Sequence, residues 1–229
     1  MDKKGFEAIV LDAVNDKELK SSEIPAIDLY VDQIINLHTE KLKEGSERFY
    51  DRQLTKTMIN NYAKDRVITP VKGKKYTKEQ IIQILIIYAL KGTLSIGEIK
   101  RMLDGAYAIE GFDGASLISF YDKLCSIKDF SRERSVSDME KMLSANGLDI
   151  DNEEDYLLAV AGLAAMSAVM KNIAQTMIDA RYPQTEKEAE PEKKDKDKDK
   201  DKDKDKDKNK KESKDKKDKK KKKSAEAEQ

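Results

Sequence analysis

The chain has almost no cysteine or histidine, the residues that build disulfides and His/Cys metal centres. It contains one cysteine, Cys125, one histidine, His38, and no tryptophan among 229 residues. These counts exclude a disulfide framework, a CxxC pair and a His/Cys metal cluster, so neither a metal nor a cofactor is expected. A chain without disulfides suits the reducing cytosol. The start, Met1-Asp2-Lys3-Lys4, is followed by further charges instead of a signal-peptide apolar run, and a cytoplasmic location is expected.

Long hydrophobic runs are also lacking. The stretch from Tyr156 to Met170 contains fifteen uncharged residues, many of them alanine. This is shorter than the roughly 18–20 residues that span a bilayer. The stretch therefore predicts a buried helix of a soluble protein without a membrane partner, and a membrane role is the alternative.

Large hydrophobic residues are absent after Glu186, where three alanines are the only apolar residues. A Lys-Asp repeat over 194–208 dominates this tail, which predicts a solvated, disordered segment. The formal net charge of +0 hides an uneven distribution: residues 1–185 carry 25 basic and 29 acidic groups, and the tail carries 20 against 16. The foldable part is therefore mildly acidic.

Helix signals are abundant in the first half of the chain. Pro25 precedes apolar residues at three- and four-residue spacing as far as Leu42, which predicts a helix of about five turns that ends near Gly45. Thr55 is a candidate N-cap for a second helix. Thr77 with Gln80, and Ser95 with Glu98, form capping boxes for two more.

A short non-helical segment separates the helices that begin at Thr55 and Thr77. Pro70 and Gly73 stop the helix, and β-branched residues on either side of a Gly-Lys-Lys tip predict a small two-stranded wing at about 71–76. The helix that follows, Lys78–Lys91, is apolar on nearly every side, which is typical of a central core helix.

Signals are weaker beyond Gly105. Helices are predicted around 115–127 and 136–143, and Asp151 with Glu154 is expected to cap a long helix from about Glu153 to Arg181. One face of that helix is rich in alanine and glycine, which indicates close packing against another helix or dimerisation.

Positive charge is concentrated in residues 48–78, where nine Lys or Arg face only Asp51 and Asp65. On a helix over about 55–65, one side is polar and exposed while Met58, Ile59, Tyr62 and Ala63 face inward. Asparagine can pair with adenine and lysine can reach guanine or phosphate, so this side suits a major-groove recognition helix. A solvated helix face is the alternative for the helix alone, but basic groups on helix and wing together favour DNA. The candidate DNA-binding residues are Arg52, Lys56, Thr57, Asn60, Asn61, Lys64, Lys72, Lys74, Lys75 and Tyr76.

Residues 60–70, Asn-Asn-Tyr-Ala-Lys-Asp-Arg-Val-Ile-Thr-Pro, resemble the MerR-family stretch Arg-Tyr-Tyr-Glu-x-x-Gly-Leu-Leu-x-Pro. Residues 73–77 resemble its basic wing ending in Tyr, and residues 94–103 resemble its Phe-Ser-Leu-x-Glu-Ile-x-x-x-Leu helix. The resemblance implies a winged helix-turn-helix over about 48–103 and a role in transcription control. Asn60 replaces the family's arginine, and residues 45–53 lengthen the turn before the recognition helix.

A closer resemblance covers residues 22–104. Ile24-Pro25-Ala26-Ile27-Asp28-Leu29-Tyr30, the segment from Leu54 to Tyr62 and Lys74-Lys75-Tyr76-Thr77-Lys78 are similar to the bacterial family named domain of unknown function 1836. This family implies no settled activity.

The fold class expected from these features is mainly α, with a MerR-like winged helix-turn-helix and a small wing. The expected organisation is an N-terminal extension (1–22), the DNA-binding domain (23–104), a helical module for dimerisation or effector binding (105–183) and the tail (184–229). For the single histidine and the single cysteine, two roles each stay open. His38 is expected to be a satisfied core histidine, with a ligand or catalytic role as the alternative, and Cys125 a small buried hydrophobe, with a sensor role as the alternative.

The leading hypothesis is a sequence-specific transcriptional regulator that binds double-stranded DNA as a homodimer, with a small-molecule or protein effector left open. A protein–protein adaptor that uses the helical module is the alternative hypothesis. No Walker loop, nucleophile elbow or dinucleotide fingerprint occurs, so an enzyme is not expected and no catalytic residue is assigned.

Overall fold

In the computed structural model, which describes residues 2–184, the chain is mainly helical. The Lys/Asp tail of the sequence prediction lies outside these residues. Two short 3₁₀ turns, Ser21–Glu23 and Glu47–Phe49, occur in the connections. The α-helices within residues 2–184 are α1 (Lys3–Ala13), α2 (Val31–Leu42), α3 (Lys56–Lys64), α4 (Lys78–Leu90), α5 (Ile96–Tyr107), α6 (Gly114–Ala145) and α7 (Glu153–Arg181), and the strands are β1 (Leu29–Tyr30) and β2 (Lys75–Tyr76).

α4 is the central core helix, as the sequence predicted. Its residues from Gln80 to Ile87 are all buried. The main hydrophobic core forms around it from residues of β1, α2, α3, β2, α5 and the first half of α6 and from the segments that join them, and the C-terminal end of α7 adds Ile178. A helix that is apolar on every side has no solvent face, so its neighbours must pack around it.

Local capping signals fix where the helices begin. The Thr55 hydroxyl accepts a hydrogen bond from the Met58 backbone N–H, and both predicted capping boxes, at Thr77 and Ser95, are present. The N-cap of α7 is Asn152 and not the predicted Asp151, because the Asn152 side chain accepts from the two backbone N–H groups that follow in the first turn.

The first predicted helix is shorter than expected. α2 begins at Val31 and not near Pro25, because Leu29 and Tyr30 form strand β1 instead. The Tyr30 backbone N–H donates to the Gln33 Oε1 at 2.8 Å, which closes the first turn of α2. Ile34, His38 and Leu42 then form the buried face of this helix.

α6 is one continuous helix of 32 residues, where the sequence analysis predicted two shorter ones. The Asp113 side chain caps its first turn, and no proline or glycine interrupts residues 115–145. α6 therefore reaches two separate hydrophobic clusters. Its first half contributes Leu117, Tyr121 and Cys125 to the main core, and its far end contributes Leu143 to a second cluster with Phe6, Val10 and Ala159.

The prediction that α7 is buried was wrong. Only Ala159 and Ile178 of this helix are buried, and all residues from 164 to 173 are exposed. Its two ends contact the rest of the chain, because Ala159 packs in the second cluster and Arg101 donates to the Asp179 carboxylate at 2.8 Å. α7 is also the one helix within residues 2–184 that is long and apolar enough to cross a membrane, a test that core helices of soluble proteins pass as well.

Candidate nucleic-acid interface

α3 presents a polar outer face on a buried base. Ile59 and Tyr62 are buried, and Met58 and Ala63 are half-buried against the core, as the sequence predicted. Burial raises the pKa of the Tyr62 phenol, which keeps it neutral. The structure brings the polar candidates together on the opposite, exposed side of the helix, namely Lys56, Thr57, Asn60, Asn61 and Lys64.

The end of α3 is fixed by a turn with left-handed backbone geometry. Arg66 has a φ of 54°, and it is the one non-glycine residue with positive φ among the described residues. The Val67 N–H donates to the Tyr62 carbonyl at 2.9 Å and the Arg66 N–H donates to the Ala63 carbonyl at 3.2 Å. These two bonds form a Schellman motif, which normally has glycine at the left-handed position.

The two-stranded wing predicted at about 71–76 does not form as a hairpin within this segment. Lys75 and Tyr76 do form a strand, but it pairs antiparallel with β1, with Leu29 opposite Tyr76 and Tyr30 opposite Lys75. Pro70 has no N–H to donate to a ladder. The carbonyls of Thr69 and Pro70 instead accept from the Gln80 side chain, and the Thr69 N–H donates to Gln83 Oε1 at 2.9 Å.

Gln83 also ties the base of this segment to α5. It is buried, and its Nε2 donates to the Tyr107 hydroxyl at 2.7 Å, which in turn donates to Glu79 Oε1 at 2.9 Å. Burial is the main cause that raises the pKa of Tyr107, and the neighbouring Glu79 carboxylate raises it further. The segment 69–76 is therefore held by side chains of α4 while its tip stays free.

The tip carries exposed cations. Gly73 has a φ of 81°, so the chain reverses there, and Lys72, Lys74 and Lys75 are exposed around it. The Lys75 ammonium lies 5.0 Å from the centre of the Tyr30 ring, a cation–π contact that joins the tip to β1.

Two candidates lie elsewhere. Tyr76 is 7% exposed, and its ring belongs to the core and not to the surface. The Arg52 guanidinium lies 4.9 Å from the centre of the Phe49 ring, and Arg52 lines a cavity together with Tyr88 and Lys91. Neither residue belongs to the exposed lysines of α3 or of the tip.

The exposed lysines of α3 and of the tip have no carboxylate partners among the residues that the structure describes. Within residues 2–184, none of Lys56, Lys64, Lys72 and Lys74 makes an ion pair, and neither does Lys75. Lys128 and Arg132, by contrast, are both paired with Asp16 and Glu18. Unpaired, exposed lysines concentrate positive potential at the surface, where they can attract anions.

The two lone residues of the sequence analysis are both buried. Cys125 is buried as predicted, and burial raises the pKa of its thiol. His38 is 3% exposed and lies in the core as expected, but the expectation that it is satisfied was wrong, because its Nδ1 has no hydrogen-bond partner among the described residues. No group of three or more His, Cys, Asp or Glu side chains that could hold a metal occurs in the described part of the chain.

Comparison with known proteins gives one match. Residues 19–124 match the model of a protein family described as Domain of unknown function (DUF1836). No curated protein matches the chain. No solved structure matches it either. The family resemblance expected over residues 22–104 is confirmed, and the match extends beyond that range into α6.

Proposed function

We propose that this protein is a sequence-specific, DNA-binding transcriptional regulator that acts in the cytoplasm. The observation that carries the proposal is the set of exposed lysines on α3 and on the tip at Gly73 that pair with no carboxylate within residues 2–184. DNA affinity is dominated by contacts between such cations and the phosphate backbone. α3 supplies, on the same face, asparagines that can read base edges.

The two parts of the surface have different roles in this proposal. Lys56, Asn60 and Asn61 of α3 meet base edges in the major groove, which accepts a helix. Lys64 and the tip lysines, Lys72, Lys74 and Lys75, meet phosphates and set the register of the protein on the duplex. Tyr76 supports the tip from the core. Arg52 lines the cavity and contacts no DNA in this proposal.

The resemblance to the MerR family supports a winged helix-turn-helix interpretation. Arg66 aligns with the glycine of the family's stretch and has a positive φ, the backbone geometry for which glycine is the favoured residue. Pro70 and Tyr76 align with the proline and the tyrosine of the family's wing. The strand at Tyr76 pairs with β1, so the proposed wing is a single strand with its tip and not an independent hairpin.

We also propose that the protein binds DNA as a homodimer through α7. Residues 164–173 are exposed on every side of this helix, and several of its large apolar side chains, among them Leu157, Val169 and Ile173, are at least half exposed. Exposed apolar surface of this kind marks an interaction site. A second DNA-binding unit multiplies the phosphate and base contacts that one small unit can make.

Charge complementarity favours an antiparallel pair of α7 helices. The first turn of α7 contains Glu153, Glu154 and Asp155, and the next charge along the helix is Lys171. If two copies cross near Gly162 and Leu163, Lys171 of one copy lies opposite the acidic first turn of the other. The uncharged stretches then cover each other, and nothing lies within 4 Å of a Cβ placed on Gly162, so the backbones can approach closely.

The salt dependence of DNA binding tests the regulator proposal. Binding to genomic DNA fragments should weaken steeply as salt rises, and replacing Lys74 and Lys75 together with glutamine should lower the slope of log affinity against log salt by about two. The matched control is Lys4→Gln with Lys123→Gln, which removes the same charge from exposed positions elsewhere and should leave the slope unchanged. Absence of DNA affinity at about 50 mM salt would refute the proposal.

Base reading needs a separate test. Selection of bound sequences from random DNA should return one consensus for the wild type, and Asn60→Ala or Asn61→Ala should change the preferred base at one position. An unchanged consensus in both variants would remove these residues from base recognition.

The exposed face of α7 also favours a second candidate function, an adaptor that binds a different protein. Measuring dimerisation and DNA affinity together distinguishes the two functions. A regulator loses DNA affinity when α7 is disrupted and forms dimers in pure solution, whereas an adaptor stays monomeric at all concentrations and binds no DNA specifically.

A further inference from the structure

A cavity of about 400 Å³ lies below α3, between the N-terminal segment, α2, α4 and α6. Residues of the lengthened turn that precedes α3 form part of its wall. Volumes of this size hold small organic molecules. The residues of the wall that matter below are His38, Phe49, Arg52, Met58, Tyr88 and Lys91.

The lengthened turn, residues 45–53, has its clearest structural role here. Phe49 is buried, and the Arg52 guanidinium lies over its ring. The Tyr88 hydroxyl donates to the Arg52 carbonyl oxygen at 2.5 Å, which fixes the turn against α4. Residues of the lengthened turn therefore form a fixed part of the cavity wall.

His38 lines the cavity, and one of its ring nitrogens has no hydrogen-bond partner among the described residues. Its side chain is almost completely buried, its Nδ1 has no hydrogen-bond partner, and its ring meets the Tyr88 ring edge to face with centroids 4.3 Å apart. Buried polar nitrogens are normally bonded, so an unpartnered one at a cavity wall indicates a place for a polar group that is bound there.

The cavity wall also includes Lys91, which pairs with no carboxylate in the described part of the chain. The Lys91 ammonium lies 4.9 Å from the centre of the Tyr88 ring and 3.1 Å from the Met58 sulfur, and neither group carries a negative charge. Burial lowers the pKa of Lys91. Asp16 and Glu18 also line the cavity, but both are engaged by Lys128 and Arg132, and Asp51 is exposed at its edge.

From this arrangement we propose that the cavity binds an organic anion with an apolar body, its carboxylate next to Lys91, Arg52 and His38 and its body against Phe49 and Leu85. The bound anion acts on α3, because Met58 belongs both to this helix and to the cavity wall. This regulatory part rests on the proposed DNA-binding function, and the binding part does not.

The single histidine of the chain makes the binding test direct. Octanoate is the probe and octan-1-ol its neutral match, and the readout is the pair of His38 ring proton signals in NMR spectra of the full chain. Octanoate should shift both signals in a saturable way. Lys91→Met should weaken octanoate binding roughly tenfold or more, because a charge-assisted bond is lost, and should leave octan-1-ol binding within about twofold.

Matched variants separate a lost charge from a damaged fold. Lys91→Arg keeps the charge and should keep octanoate binding, whereas Lys123→Met removes an exposed lysine of α6 and should change nothing. Equal affinity for octanoate and octan-1-ol, or unchanged octanoate affinity in Lys91→Met, overturns anion recognition. His38 signals that do not move with octanoate overturn the site itself.

The regulatory part is tested by DNA affinity with and without saturating octanoate. A change in the wild type that is absent in Lys91→Met supports coupling to α3, and an unchanged affinity overturns it. If the protein binds no DNA under any condition while octanoate still shifts the His38 signals, the proposed function has failed and the anion site stands.

Discussion

The Arg101 guanidinium joins α5 to the end of α7 through Asp179. Its Nη2 donates to the Asp179 carboxylate at 2.8 Å and its Nη1 donates to the Tyr182 carbonyl oxygen at 2.7 Å. The Arg101 side chain is 8% exposed, while that of Asp179 is 63% exposed. Removal of Arg101 therefore takes away a buried side chain and both hydrogen bonds, whereas removal of Asp179 takes away a mostly solvated carboxylate and one bond.

Replacing Arg101 should destabilise the protein more than replacing Asp179. Arg101→Ala removes a buried side chain and both bonds, and should lower the free energy of unfolding by about 2 kcal/mol. Asp179→Ala should cost less than about 1 kcal/mol, because this carboxylate is mostly solvated and the bond to Tyr182 remains. Urea denaturation measures both. Lys100→Ala, which removes an exposed pair with Asp104 on the same helix, is the control and should cost less than about 0.5 kcal/mol. Equal losses for Arg101 and Asp179 would contradict this assignment.

The left-handed turn at Arg66 should be relieved by glycine. A side chain costs roughly 1–2 kcal/mol in this conformation, whereas glycine adopts it freely. Arg66→Gly should therefore be about 1 kcal/mol more stable than Arg66→Ala, although both lose the guanidinium. Thermal unfolding of the two variants at one pH makes the comparison. A less stable glycine variant would show that the backbone is not strained there.

His38 should make stability depend on pH. Burial, with a smaller contribution from the Lys91 charge, lowers its pKa from 6.5 to about 4. Between these values the unfolded chain binds a proton that the folded chain does not, so the stabilisation is complete above pH 6.5 and is lost as pH falls towards 4. The wild type should lose up to about 1.4 kcal/mol per pH unit in this window relative to His38→Phe, which keeps the ring contact with Tyr88. Parallel curves of unfolding free energy for the two proteins would disprove this.

A charge within the exposed part of α7 should abolish self-association. Ala165→Glu lies in the uncharged stretch, where burying a carboxylate against a second copy is costly. The control Ala180→Glu adds the same charge to an exposed position near the end of the same helix. Sedimentation equilibrium should show dimers for the wild type and the control and monomers for Ala165→Glu. A wild type that stays monomeric, or that partitions into lipid vesicles instead, would refute the dimer.

Features that depend on neighbours in the chain could be predicted from the sequence. The caps at Thr55, Thr77 and Ser95 were found because each bonds to a backbone N–H three residues away. The burial of α4 followed from apolar residues on all its faces. The exposed face of α3 followed from helical periodicity, which needs no knowledge of the rest of the fold.

Features that depend on distant residues could not be predicted in this way. The partner of the Tyr76 strand is Leu29, and no local pattern marks that pairing. The exposure of α7 was missed because an apolar helix is normally covered, and only the packing of its two ends leaves the middle free. In the sequence, the cavity was marked only by His38, a polar residue on the apolar face of a predicted helix.

The sequence by itself determined α3, α4 and α5, their caps at Thr55, Thr77 and Ser95 and the concentration of lysines around α3, because these arise from hydrogen bonds and side-chain periodicity within a few residues. The tertiary structure alone decided which cations stay unpaired, which strand supports the tip, and that a cavity lies below α3. Each of these depends on long-range packing: Asp16 reaches Lys128, Leu29 reaches Tyr76, and Tyr88 holds the Arg52 turn only once the core has formed.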